Sequence, residues 1–464
     1  MTTPKLPHIA LIPSAGMGHL MPFLRLAAML AKQNAIVTVI TAQPTVSIAE
    51  SDHISSFLRH NPKINHLELQ LTPSFGQANG APVDPFFLQM HLINQSIHLL
   101  PPLLSSSSPP ISAIFLDFLL AAKVAPIAKT LHLPVYIVCT SSVAFLSLMA
   151  YLPMLVSNPV EFNKTKAEIN IPGLPPMAMS TIPPVFHDSG HLLTSIIITN
   201  SPALSEAKGI FMNNFEWFEA SALAALNKDR VIESLPPVLP IGPLEPYHAP
   251  HDDDKRDRYR SWLDNQPAES VVYISFGSRT AMSRDQIREL EKGLEKTGWR
   301  FFWVLKTSKV DKDDQEDAEH FLNESFLERT KNKGSVIKGW VDQQEILAHP
   351  AVGGFVSHCG WNSVMEAAQQ GMPMLAWPQH GDQKMNAKVT EEAGLGLWER
   401  GWDWGPSGIV KGEEIERKIV ELMTDEKLRE RAKKVGEEAR KAVGRGGSSD
   451  KVIREVVESL IIPF

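Results

Sequence analysis

WVDQQEIL at 340–347, HCGWNS at 358–363 and WPQHGDQ at 377–383 lie in one stretch, Trp340 to Gln383, whose reading decides the fold. The apolar run Val352-Gly353-Gly354-Phe355-Val356 predicts a buried parallel strand that stops at Ser357-His358. A helix pattern opens at once with Trp361-Asn362-Ser363. Strand, polar glycine-containing turn and helix start gather unpaired backbone N–H groups and positive dipole, a place for a phosphate or diphosphate. His358, Asn362 and Ser363 stand where they can donate hydrogen bonds to that anion. One strand earlier, Ser335-Val336-Ile337 leads to Trp340, whose flat indole can stack on a base. Gln343 and Glu366 are placed to bond ribose hydroxyls, and Asp382 and Gln383, after the strand Met374 to Trp377, to reach hydroxyls beyond the phosphates. One such turn alone is equally ordinary α/β packing, with Trp340 and Trp361 as core aromatics and Glu366 as a helix-face charge. The weight comes from polar residues recurring at loop positions of consecutive strand–helix units.

Working outward, 464 residues exceed one ordinary core and predict two domains of roughly 200 to 250 residues each. Hydrophobic content of 43% with 21% charged residues describes a globular protein. A net charge of −7 without a basic cluster argues against nucleic acid as a partner. Two cysteines, Cys139 and Cys359, give no disulfide framework and suit a reducing, cytoplasmic compartment. The N-terminus lacks a long apolar segment of the secretory kind, and Asp117, Lys123 and Lys129 interrupt the apolar stretch Ile111 to Val138 too often for a membrane span.

His8 to Pro13 reads as a strand, Ser14 to Gly18 as a turn and His19 to Lys32 as a helix, followed by a strand at Ala35 to Thr41. This opens a doubly wound sheet. Gly16-Met17-Gly18 imitates a nicotinamide fingerprint, but no third glycine follows at the needed spacing and the second strand ends in Thr41-Ala42-Gln43 without an acid. Pro73 to His98 reads as irregular and apolar, with Phe86, Phe87 and Met90, and proline-rich loops recur between Ile171 and Pro184. Such loops are commonly binding loops. Leu235 to His251, with six prolines, and Asp252-Asp253-Asp254 read as a linker, after which the strand–helix pattern restarts at Val271. Two nucleotide-type halves predict a cleft at strand carboxyl ends.

The 44 positions from Trp340 to Gln383 resemble the signature box of plant UDP-sugar-dependent glycosyltransferases of specialised metabolism, and the likeness extends over nearly the whole chain. The resemblance implies an α/β fold of two Rossmann-like domains facing a cleft, the GT-B fold. It divides the chain into an acceptor-binding domain at 1–240, a linker at 241–257, a UDP-sugar domain at 258–445, and a helix at 446–464 packing back on the first domain. Trp340 would stack on uracil while the backbone of Val341 bonds it; Gln343 and Glu366 would bind ribose. His358, Asn362 and Ser363 would hold the phosphates, and Trp361, Asp382 and Gln383 the sugar; Thr140, Ser278 and Gly360 complete the donor set. An ending in Gln383 resembles members that use UDP-glucose. Asp342, where proline is usual, and Gln379-His380-Gly381, in place of a more apolar lead, depart from the pattern.

Transfer from a nucleotide sugar needs a stabilised leaving group, an activated acceptor and exclusion of water. His19 is the candidate base, able to accept a proton near neutral pH, and Asp117 near the end of a neighbouring strand can orient it. The resemblance assigns this pair as the catalytic dyad, with inversion at the anomeric carbon. Asp311-Lys312-Asp313 matches a metal-binding string but lies in an acidic surface run past its strand, so the expected reaction is metal-independent with no tightly bound cofactor and UDP-glucose as donor. Phe86, Phe87, Met90, Phe186 and His380 are the candidate acceptor contacts. Pro13 to His19, Asp84-Pro85-Phe86-Phe87 and Gln379 to Gln383 resemble the flavonoid C-glycosyltransferase branch. The expected activity is C-glucosylation of flavonoid-like or polyhydroxylated phenyl ketone acceptors by a monomer. O-glucosylation of similar phenols and non-catalytic binding of a nucleotide sugar stand as alternatives.

Overall fold

The computed structural model describes residues 6–72, 84–158, 160, 162–163, 165–171, 174–228, 232, 235–247, 253–308, 321–402 and 408–461. The chain divides into two compact units, Met1–His248 with Lys441–Phe464, and Ala249–Arg440.

The first unit carries β1 (His8–Ile12), β2 (Ile36–Gln43), β3 (Asn65–Gln70), β4 (Ala113–Asp117), β5 (Val135–Cys139), β8 (Gly209–Met212) and β9 (Val238–Pro240) in one sheet, with a separate two-residue pair β6 (Glu168–Ile169) and β7 (Met177–Ala178). The sheet is parallel throughout, in the order β3-β2-β1-β4-β5-β8-β9. Continuous apolar runs such as HIALI and AIFLD are buried along their full length, as a sheet covered on both faces requires. The helix Met17–Lys32 sets Leu20, Phe23, Leu24 and Ala27 against Ile9, Leu11 and Phe115. The tail helix Ser448–Ser459 adds Ile453, Val456 and Val457 to the same core, and the Ser449 hydroxyl donates to the Gly242 carbonyl at 2.7 Å.

One expectation is corrected here. The stretch read as irregular, Pro73 to His98, contains the helix Pro85–Ser96; its part at 73–83 lies outside the described residues. Asp84 accepts the Phe86 N–H at 2.9 Å and Pro85 occupies the first helical position, so both start signals are local while the helix itself shows no clean apolar stripe.

The second unit carries β10 (Val271–Ser275), β11 (Arg300–Leu305), β12 (Gly334–Lys338), β13 (Val352–Ser357), β14 (Met374–Ala376) and β15 (Gly396–Trp398). They form a parallel sheet in the order β12-β11-β10-β13-β14-β15. In both units the order reverses beside the first strand, so the crevice that binds ligands in doubly wound sheets lies between β1 and β4 in one and between β10 and β13 in the other. The stretch read as a linker to residue 257 already turns helical at Asp253, in the helix Asp253–Asp264. Arg256 of that helix grips Glu345 through two hydrogen bonds of 2.9 and 3.0 Å, and Tyr259 adds a third at 3.2 Å.

Candidate active site

At the carboxyl end of β1 the chain turns through Gly16, whose φ of 95° is a conformation that favours glycine. The Gly16 carbonyl accepts the N–H groups of His19 and Leu20, which starts the helix and swings the His19 side chain back over the sheet end. Because β1 pairs in register with β4, Ile12 opposite Leu116, Asp117 arrives at the same level. Its Oδ2 lies 2.7 Å from His19 Nδ1, and its Oδ1 accepts the Leu119 N–H at 3.0 Å. Asp117 is 1% exposed and His19 26%, so the carboxylate is sealed beneath a ring that still reaches the surface. A carboxylate only accepts, so Nδ1 carries the ring proton and the lone pair sits on Nε2, the arrangement of a general base.

Thr140, the residue after β5, brings its hydroxyl to 3.3 Å from His19 Nδ1. Assigned to the donor set from sequence, it stands in the structure beside the dyad. Three neighbouring strand ends thus converge on one imidazole.

Among the expected acceptor contacts, Phe86, Met90 and Phe186 are buried within the protein. Phe186 stacks on Phe145, and Phe86 lies against the Gly16 turn, so close that a Cβ on Gly16 would meet its Cδ1 at 3.2 Å. Phe87 is half-buried and presents its ring edge-on to His191 at 5.4 Å.

In the second unit the residues expected to bind the donor lie at the strand ends. Trp340 is 41% exposed after β12, a surface indole where a base can stack, and Val341 is buried beside it. Asp342 departs from the usual proline for a visible reason: its Oδ1 accepts the N–H groups of Gln344 and Glu345, both at 3.1 Å, and caps the helix Gln343–Leu347. Gln343 then donates to Glu366 at 2.7 Å and to Ser363 at 2.9 Å, while Tyr273 donates to its Oε1 at 3.2 Å. Gln343, Ser363 and Glu366 therefore form one polar group at the start of the helix Trp361–Gln370. Asn362 lies half-buried in the first turn of that helix, and Gly360 is its N-cap. Trp361, expected to contact the sugar, is only 3% exposed. Ser278 is half-buried in the turn after β10.

His358, at the end of β13, is held between two backbones. A Cβ on Gly277 would meet its Nε2 at 2.4 Å and one on Gly360 would meet it at 2.5 Å, so only glycine fits at either side. Burial pushes the ring down to about 4, with a backbone hydrogen bond at Ser275 acting the other way. Its Nδ1 is sealed and has no hydrogen-bond partner in the described structure, so the burial cost of an imidazolium outweighs the one stabilising bond. His358 is a neutral hydrogen-bonding group near pH 7. Gln383, expected to reach sugar hydroxyls, turns its carbonyl inward to accept the N–H groups of Gln379 at 2.7 Å and His380 at 2.9 Å. His380 in turn sits 3.5 Å from the Thr280 hydroxyl. Asp311 and Asp313 lie outside the described residues.

A family model described as "UDP-glucoronosyl and UDP-glucosyl transferase" matches residues 192–398. UDP-glycosyltransferase 708G2 of Citrus unshiu is 47% identical over 97% of this chain and 96% of its own length. The chain belongs to the UDP-glycosyltransferase family. Within this family, UDP-glycosyltransferase CGT of Oryza sativa subsp. indica is 44% identical over 97% of this chain and 95% of its own. The crystal structure of LpCGTa in complex with UDP superposes with a TM-score of 0.87 at 44% identity, over 99% of this chain and 100% of that one. The protein is a plant-type UDP-sugar transferase of the GT-B fold, and no described helix is long and apolar enough to cross a membrane.

Proposed function

We propose that this UDP-glycosyltransferase is an inverting, metal-independent C-glucosyltransferase acting on phenolic, flavonoid-like acceptors, with His19 as base and Asp117 as its orienting partner. The single observation that carries the mechanism is the 2.7 Å contact between His19 Nδ1 and the buried Asp117 carboxylate, which leaves the basic lone pair on Nε2. His19 takes the phenolic proton as the ring attacks the anomeric carbon of UDP-glucose. The bond from that carbon to the phosphate oxygen breaks, UDP leaves, and the displacement converts an α-linked donor to a β-linked product. Phenolate charge is shared with the ortho and para ring carbons. When an ortho carbon forms the new bond, its proton passes to solvent, the ring becomes aromatic again as a phenolate, and the phenolate takes back the proton held on His19.

On the leaving-group side, the neutral His358, the first turn of the helix Trp361–Gln370 and the Gln343–Glu366 pair supply donors and acceptors matched to a diphosphate and a ribose. Carbon attack is supported by the CGT designations of the 44%-identical relatives, read as C-glycosyltransferase. The test is His19→Ala assayed with UDP-glucose and a phenolic acceptor. Turnover should fall by about 10² to 10⁴-fold while UDP affinity stays within about threefold. Unchanged turnover would remove His19 from the reaction.

A further inference from the structure

Asn386 lies in the helix Gln383–Glu392, is fully buried, and has no part in the site described so far. Its side-chain Nδ2 donates to two oxygens: the backbone carbonyl of Cys359 at 3.1 Å and Oδ2 of Asp382 at 2.9 Å. Both partners only accept, so the orientation of the amide is fixed by chemistry. Its Oδ1 is left buried without a partner in the described structure, a loss that such a residue tolerates only where its two donated bonds matter.

The two bonded turns are the two that a nucleotide sugar needs at a set distance. Cys359 lies between His358 and Gly360 and holds a left-handed φ of 61°, unusual for a residue with a side chain. Such a conformation persists where its surroundings over-determine it. Here the Cys359 N–H donates to the Ser357 hydroxyl at 3.1 Å and its carbonyl accepts from Asn386, so both backbone groups of the strained residue are pinned by side chains. Asp382, at the other end of the bridge, directly precedes Gln383, whose carbonyl closes the 379–383 turn.

We infer that Asn386 is a positioning residue that fixes the diphosphate-reading turn at 357–360 relative to the sugar-reading turn at 379–382, and so sets discrimination of the donor sugar. The inference rests on the donor site assigned above. It predicts a split between the two halves of the donor. UDP alone engages the base, ribose and phosphate groups, whereas the glucosyl group also depends on where Asp382 is held.

The experiment uses the full-length enzyme and two variants, Asn386→Asp, which keeps shape but cannot donate and places a second carboxyl beside Asp382, and Asn386→Ala. UDP affinity is measured by calorimetry, and kcat/KM is measured for UDP-glucose and UDP-galactose. UDP affinity should change by less than about threefold, kcat/KM for UDP-glucose should drop by at least about tenfold, and the preference between the two sugars should narrow. A loss of UDP affinity matching the loss of kcat/KM would overturn the inference in favour of a purely structural residue, as would wild-type behaviour in both variants. If Asn386→Asp does not fold, Asn386→Ala decides between the same results. Failure of the wild-type enzyme to bind UDP would instead strike the donor site itself.

Discussion

Replacing Asp117 with asparagine tests the dyad more sharply than removing it. Asp117 Oδ1 accepts the Leu119 N–H at 3.0 Å and Oδ2 faces His19 Nδ1 at 2.7 Å. An asparagine has one acceptor oxygen, and the buried Leu119 N–H claims it. Its NH2 group must then face Nδ1, which forces the ring proton onto Nε2 and destroys the base at the atom that serves the acceptor. Turnover should fall about 10⁴-fold, about 5 kcal/mol of barrier, comparable to the loss on tautomer inversion in a serine-protease triad. Asp117→Ala presents no donor and leaves Nε2 basic in part of the population, so its loss should be nearer 10²-fold. That variant instead leaves the Leu119 N–H unsatisfied, at about 1 to 3 kcal/mol of stability. Steady-state rates for both variants, normalised to folded protein by denaturant titration, provide the assay. An asparagine variant as active as the alanine variant would refute the tautomer argument.

Two further outcomes follow from His358. Gly277→Ala places a methyl group 2.4 Å from Nε2 at a backbone φ of 76°, so UDP affinity should weaken by about tenfold or more, read by calorimetry against an unchanged His19–Asp117 unit. Stability should fall on acidification, because His358 is held at about 4 in the fold and returns to 6.5 when unfolded. The unfolded chain binds the extra proton between these values, so up to about 3 kcal/mol is lost as pH drops from 6.5 to 4. Burial also lowers His8 and His66, so both add to the loss of stability on acidification. The urea-unfolding slope with pH should therefore be compared with that of His358→Gln, which should be shallower.

The parallel sheets were legible because their strands are unbroken apolar runs ended by glycine or polar turns. The sequence-predicted strand His8 to Pro13 runs one residue past β1, and Val352 to Val356 falls one residue short of β13. His19 and Asp117 were paired from sequence through the family resemblance, and the sheet order that sets β1 beside β4 is what brings them together. The helix Pro85–Ser96 was hidden because its faces are not segregated, although Asp84-Pro85 is a start signal. What Phe86 and Phe186 pack on was not legible, because an aromatic residue carries no mark of its neighbours; only tertiary contact shows one against Gly16 and the other against Phe145. Asn386 escaped notice for the same reason, since both its partners are acceptors set by the fold of two other turns.

The most direct measurement of the central claim is the bond the enzyme makes. The protein is incubated with UDP-glucose and a trihydroxylated phenyl ketone, without added metal, and the product is heated in acid. A carbon–carbon linkage keeps its glucose under those conditions, and that is the result predicted here. Release of glucose would show an oxygen-linked product and contradict carbon attack, and absence of any product would contradict the proposed acceptor class.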